Sequence, residues 1–572
     1  GHTQYLLKVP ALRDLNELRE ADGSPCADGQ VCPLHPGTLE VAARLLRDMA
    51  PFCTAGKVHV GLDESFHLGR HPRSRAEIAR HGLAAHFAGY VNRLHGVASA
   101  QGLRLGYWAD LLHHLPDAIP RLPAGTIAYD WYYHPFRRHP RVELFNFAAS
   151  DLAPALRRQG IEYWGCPMNG AFRHEPLPVF SERLANIRSW WDRCRRTNAA
   201  GMLVTSWEPG RLAAELPEVV DAAAADLWLR SGKTGTGAML AHGFARVFGG
   251  RGAVRSARLV LAADRAAYAG YARWEINRRW DAAAWAGGSP RDGELRLCRR
   301  LASQARGLAP PLAASLAFRL CLAERDAFVR RSVQAVFRLR RRLRRAGAAA
   351  VREDPAWTAL ATDAAAFSRA LAAGRSAAQR MWRRTRASRP NGPNEQLVAE
   401  DARRLKAWRK WLGRARRQPA LLLEGTPLCG AWQLQFLVHN VAPALQKVLV
   451  EQRGSDGRWR ELASRFTVEF RAAAARRRAD IRRRFVVALD SPDAVLRLAV
   501  RGVGRVKISA VCVTDGVTFL LPPGAPRARA RPLGRAAPRS GFPPLDLNRN
   551  ADELPLGRAR PAPGGSRPKA PL

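Results

Sequence analysis

Lysine is scarce in this chain of 572 residues: only eight of its 92 basic residues are lysine. The formal charge of +43 is therefore almost wholly arginine's. Such an excess ordinarily points to nucleic acid or an anionic surface. Here arginine rises together with alanine and is spread along the chain, densest at 338–345 and 476–484. That pattern fits a drift of composition more than a selected phosphate-binding patch, and no nucleic-acid partner is expected. Cysteine is also sparse, with nine residues and no CxxC pair, which argues against a disulfide framework or a zinc site. Cys166, Cys321 and Cys512 sit in apolar surroundings and read as buried free thiols. Reduced thiols lean toward a cytoplasmic setting. No run of eighteen apolar residues occurs, so no membrane-spanning helix is expected. The chain opens on Gly1-His2-Thr3 and not on Met, which leaves the question of a leader, and so of the compartment, open.

What is present is a sizeable apolar fraction, 47%, in a chain long enough for two to four domains. Residues 1–235 alternate short apolar runs with amphipathic stretches, the βα signature of a parallel sheet. Strands are predicted at 58–62, 103–108, 126–131, 161–166 and 201–207, with helices at 36–49, 153–159, 181–197 and 217–229. Ser74 and Glu77 form a capping-box pattern, and apolar periodicity from there predicts one helix reaching Val97. The spacing of about forty residues per unit favours an α/β fold of the TIM-type (β/α)8 barrel class over an open sheet. Eight strands close such a barrel, so the expectation is a barrel lacking its first strands. Residues 236–418 turn helical and cationic, with Trp357, Trp382, Trp408 and Trp411 as core anchors. Residues 419–521 switch to period two and predict a small β-sandwich. The stretch 522–572, rich in Pro, Arg and Gly, reads as a disordered tail.

The strongest chemical signal runs from Lys57 to Glu64, KVHVGLDE. An apolar strand meets Gly61 and ends on two consecutive carboxylates, Asp63 and Glu64. Neighbouring side chains on a strand point to opposite faces, so both can serve one substrate only where the chain turns out of the strand. In a parallel barrel that turn is at the mouth, where active sites lie.

His59-Val-Gly-Leu-Asp-Glu64 resembles the His-x-Gly-x-Asp-Glu motif of the β-N-acetylhexosaminidases of glycoside hydrolase family 20. Gly1-His2-Thr3 resembles the turn after that family's third strand. Cys32-Pro33 and Leu68-Gly69-Arg70 are similar to the subgroup related to hexosaminidase D. The resemblance covers about 1–215, and it implies substrate-assisted hydrolysis, in which the sugar's own 2-acetamido oxygen attacks the anomeric carbon. It casts Glu64 as general acid and base, with a raised pKa, and Asp63 as the ionised partner of the acetamido N–H. It implies an apolar box from Trp108, Trp131 and Trp207, and a tyrosine on the acetamido oxygen, with Tyr132, Tyr133 and Tyr163 as candidates. Asp110 and Glu208 would hold sugar hydroxyls, although Glu208 departs from the family's Trp-x-Glu spacing. His2 matches a family active-site histidine, while His59 reads as a core or supporting residue. The family's hydroxyl-clamping arginine comes from the first strand, which has no counterpart here. No metal or organic cofactor is implied, and the partner is a glycan bearing terminal N-acetylglucosamine or N-acetylgalactosamine. The alternative is a relic of the same barrel that holds sugar without cleaving it.

Overall fold

The computed structural model describes residues 3–19, 22–26, 29–65, 67–137, 147–171, 176–207, 212–230, 232–264, 292–424, 426–427, 432–440, 445–466, 482–489, 494–503, 505–514, 519–521, 545–546, 553–557 and 560–561. Gly1, His2, Glu208 and most of 522–572 lie outside the described residues.

The α/β expectation is met by a five-stranded parallel sheet in sequential order. Helix α1 (Pro36–Met49) precedes β1 (Lys57–His59), and α2 (Pro72–His81) and α3 (Leu83–Ser99) lead into β2 (Arg104–Trp108). Then come α4 (Asp110–His114), β3 (Ile127–Trp131), α5 (Ala153–Arg158), β4 (Glu162–Cys166), α6 (Phe180–Thr197), β5 (Gly201–Met202) and α7 (Glu215–Ala224). The register pairs Val58 with Leu105, Tyr107 with Ala128, Tyr129 with Trp164, and Trp164 with Gly201. A bridge between Met168 and Thr205 carries the β4–β5 pairing beyond the strands.

The helix between Ser74 and Val97 is two helices. Gly82, at φ 82°, ends α2, and Leu83 starts α3. Such a φ is accessible to glycine without a Cβ clash, and apolar periodicity alone does not register it. Ser74 is not the cap either. His71 takes that place, its Nδ1 accepting the Arg73 N–H at 3.2 Å.

Leu105, Tyr107, Ala128 and Tyr163 belong to one buried cluster with Phe87, Val91 and Leu94 of α3, Leu156 of α5 and Trp190 of α6. Burying each large apolar side chain contributes roughly 1.5–3 kcal/mol, so this helix-covered face holds the sheet. A second cluster runs from Leu177 to Leu422 and joins α6 and α7 to the long helices Pro310–Ala346, Ala356–Thr385 and Pro393–Arg417. Trp357, Trp408 and Trp411 are buried there as predicted, whereas Trp382 is only half-buried. The described strands from Trp432 onward form two antiparallel sheets, one of four strands and one of six. Phe436 of one and Leu498 of the other share a buried cluster. Among the described residues no helix is long and apolar enough to cross a membrane, and no group of His, Cys, Asp or Glu could hold a metal ion.

Candidate active site

The chain leaves β1 through an unusual turn. Gly61, Leu62 and Glu64 have φ of 82°, 74° and 51°. Leu62 and Glu64 are two of the three non-glycine residues with positive φ among the described residues. Each costs roughly 1–2 kcal/mol against the ordinary conformation, so surrounding contacts must hold them. Leu62 is held by burial, at 3% exposure. Gly61 is held by the neighbouring strand, since the Trp108 N–H donates to its carbonyl at 2.9 Å. Glu64 is held by Asp110, whose Oδ2 accepts the Glu64 N–H at 2.9 Å. His59 closes the inside of the turn by accepting the Gly61 N–H on Nδ1 at 3.0 Å. Asp63 and Glu64 thus sit, half-buried, where the strand ends.

Asp110 opens α4 two residues beyond Trp108 and is 6% exposed. Burial pushes its carboxyl up to about 8. The Glu64 N–H opposes the rise, and the charges of Asp63 and Glu64 add to it. At neutral pH Asp110 therefore carries its proton. The Trp131 indole lies beside Asp110 and slightly favours its ionised form, without a hydrogen bond of ordinary geometry closing between them.

The aromatic side chains join the acids into one site. The Trp131 ring stacks on Tyr133, with centroids 4.9 Å apart and planes at 23°. The Tyr133 hydroxyl accepts the Trp207 indole N–H at 2.7 Å. Trp207 in turn lies 5.7 Å from Trp108, whose ring is also 4.5 Å from His59. Burial holds the Tyr133 pKa well above its usual value, with smaller contributions from Cys166 and Glu64, so the hydroxyl stays protonated. Trp207 is 38% exposed and forms the open side of the group.

Of the tyrosine candidates, only Tyr133 is brought to this group. The Tyr132 ring stacks on Phe147 at 4.1 Å and belongs to the helix-side core. Tyr163 also points to the helix side, where its hydroxyl donates to Asp130 Oδ2 at 2.9 Å. Asp130 Oδ1 meets His113 Nε2 at 3.0 Å, and His113 Nδ1 lies 2.8 Å from Ser150 Oγ. That network ties α4 to β3 behind the site. His2 and Glu208, both outside the described residues, are not placed in the site by any observation.

One supporting residue carries no sequence signal. Glu17, fully buried, accepts the backbone N–H groups of Gly69, Arg70 and His71 on one oxygen at 2.8, 2.9 and 3.2 Å, and the Ser74 hydroxyl on the other at 3.1 Å. Gln30 accepts the His67 N–H at 2.9 Å. Together they pin the loop that follows the acidic pair to the segment before α1. The contacts span more than thirty residues of sequence, and no local spacing announces them.

No protein-family model matches this sequence, and no curated protein matches it. Among solved structures, a chitobiase from Flavobacterium johnsoniae is similar at 16% identity with a TM-score of 0.28, over 74% of this chain and 58% of that one. This chain thus spans less than two thirds of that protein's length.

Proposed function

We propose that this protein is a glycosidase of the family 20 type, removing terminal β-linked N-acetylhexosamine by substrate-assisted catalysis. What supports the reading is the Asp63-Glu64 pair at the end of a parallel strand, with Asp110 and the aromatic group of Trp108, Trp131, Tyr133 and Trp207 at the same ends of the neighbouring strands. Barrels of the TIM type build their sites at that end of their strands, and the barrel architecture is part of this proposal. Glu64 protonates the leaving glycosidic oxygen and then takes a proton from the incoming water. Asp63 accepts the acetamido N–H and offsets the positive charge that develops as the acetamido oxygen closes on the anomeric carbon. The indole faces enclose the acetamido methyl, and the protonated Tyr133 hydroxyl donates to the acetamido oxygen.

The test is release of p-nitrophenol from its β-N-acetylglucosaminide and β-N-acetylgalactosaminide by the parent chain, Glu64→Gln and Asp63→Asn. Loss of one acid–base group lowers turnover by roughly 10²–10⁴-fold, and the same loss is expected for Asp63→Asn. Turnover that survives in both variants would sink the reading. A parent that binds N-acetylglucosamine without any turnover would instead favour a sugar-binding chain built on the same aromatic group.

A further inference from the structure

We infer that Asp110 is a positioning residue for Glu64: by accepting the Glu64 N–H it holds that peptide in its left-handed turn and fixes where the Glu64 carboxyl is presented. For its catalytic consequence this rests on the reading above. For its geometry it rests on the fold alone.

Four observations support it. First, Glu64 adopts φ 51°, which a side-chain-bearing residue keeps only when something outside the turn holds it. Second, the hydrogen bond from its N–H goes to a side chain 46 residues away. Third, that side chain is itself fixed. Asp110 follows Trp108 and Ala109, whose N–H groups donate to Gly61 and Tyr129 carbonyls at 2.9 Å each, so two strands locate it. Fourth, Asp110 is buried, and a sugar-hydroxyl ligand facing an open cleft has no need to spend an oxygen on the backbone of the acid beside it. The neutral carboxyl expected at neutral pH also suits the role, because it accepts the N–H without adding a further negative charge beside the acidic pair.

The test compares Asp110→Ala, which removes the acceptor, with Asp110→Asn, which keeps one, in the full chain. Residue-resolved amide exchange follows the Glu64 N–H, and steady-state kinetics on p-nitrophenyl β-N-acetylglucosaminide follow the chemistry. In D110A the Glu64 amide should exchange at least about tenfold faster while β1 and β2 stay protected. Its kcat should fall by up to about 100-fold, because a small misplacement of a reacting group costs that much, with KM held within about threefold. D110N should restore both protection and most of the turnover. Should D110A fail to fold, Asp110→Leu fills the same space without an acceptor and replaces it. Unchanged Glu64 protection in the acceptor-less variant would overturn the inference. So would a rise in KM at constant kcat in both variants, the signature of a sugar ligand. A parent with no turnover would count against the glycosidase reading, and the exchange data would still decide the role of Asp110.

Discussion

The two faces of the parallel sheet treat buried polar groups differently. On the helix-covered face, Asp130 is fully buried and both its oxygens are engaged, by His113 and by Tyr163. On the other face, among the described residues, no hydrogen bond of ordinary geometry closes on the indole N–H of Trp108 or Trp131, or on Asp110 Oδ1. Burying such groups without partners costs roughly 1–3 kcal/mol each, so a stable protein leaves them only where something else uses them. The left-handed Leu62 and Glu64 lie at the end of the same sheet and carry a similar cost. The helix side has such groups too, since neither ring nitrogen of the buried His86 in α3 closes a hydrogen bond of ordinary geometry, but at the strand ends donors, an acceptor and strain gather at one place.

Phe87→Ala should break the first half of that comparison most severely. Phe87 is 1% exposed within the core that α3 shares with β2 and β3. Its truncation should destabilise by about 3–5 kcal/mol in denaturant unfolding. Turnover per folded molecule should stay near the parent's, since Trp108, Trp131, Tyr133 and Trp207 all lie outside the buried cluster that holds Phe87. A loss of kcat in the still-folded fraction would show that the two faces are coupled and that the division drawn above is wrong.

The second half is sharpened by Asp110→Asn, through pH. The carboxyl is raised from 3.8 to about 8 by burial, with Asp63 and Glu64 as the charged groups that face it. Between those values the folded form holds a proton that the unfolded chain has lost, so this group makes stability fall as pH rises from about 4 to about 8. The accumulated cost is on the order of 4 kcal/mol at pH 7 and vanishes below pH 4. Asp110→Asn removes it. The variant should therefore be more stable than the parent at pH 7 and similar to it near pH 4, as measured by unfolding at both. Equal pH dependence in parent and variant would mean that Asp110 ionises freely, and that the site face costs less than its geometry implies.

These contrasts also explain which parts of the molecule were legible in the sequence. The five parallel strands were, because apolar runs ending in Trp108, Trp131 or Cys166 carry both their period and their stop signals. The acidic turn was, because Gly61 followed by two carboxylates is local. The choice between Tyr132 and Tyr133 was not, since β3 ends at Trp131 and side-chain alternation no longer fixes a face beyond it. The capping box failed because Ser74 gives its hydroxyl to Glu17, 57 residues away. The bond from Glu64 to Asp110 was not legible either, because it is a contact between two strand ends and no local pattern encodes it.

The smallest expected effect tests whether the open side of the site is structural. Trp207 is 38% exposed, and its one hydrogen bond of note runs from the indole N–H to the Tyr133 hydroxyl. Trp207→Phe keeps an aromatic face toward Trp108 and deletes that bond alone. A half-exposed neutral bond contributes about 1 kcal/mol or less, so thermal stability should hardly move. If Tyr133 is the donor to the acetamido oxygen, the freed hydroxyl can rotate, and KM for the β-N-acetylglucosaminide should rise by about three- to tenfold. A large loss of stability with unchanged KM would instead assign Trp207 to packing. Such a result would leave the aromatic group as part of the scaffold, with the acids at the end of β1 as the working residues of that face.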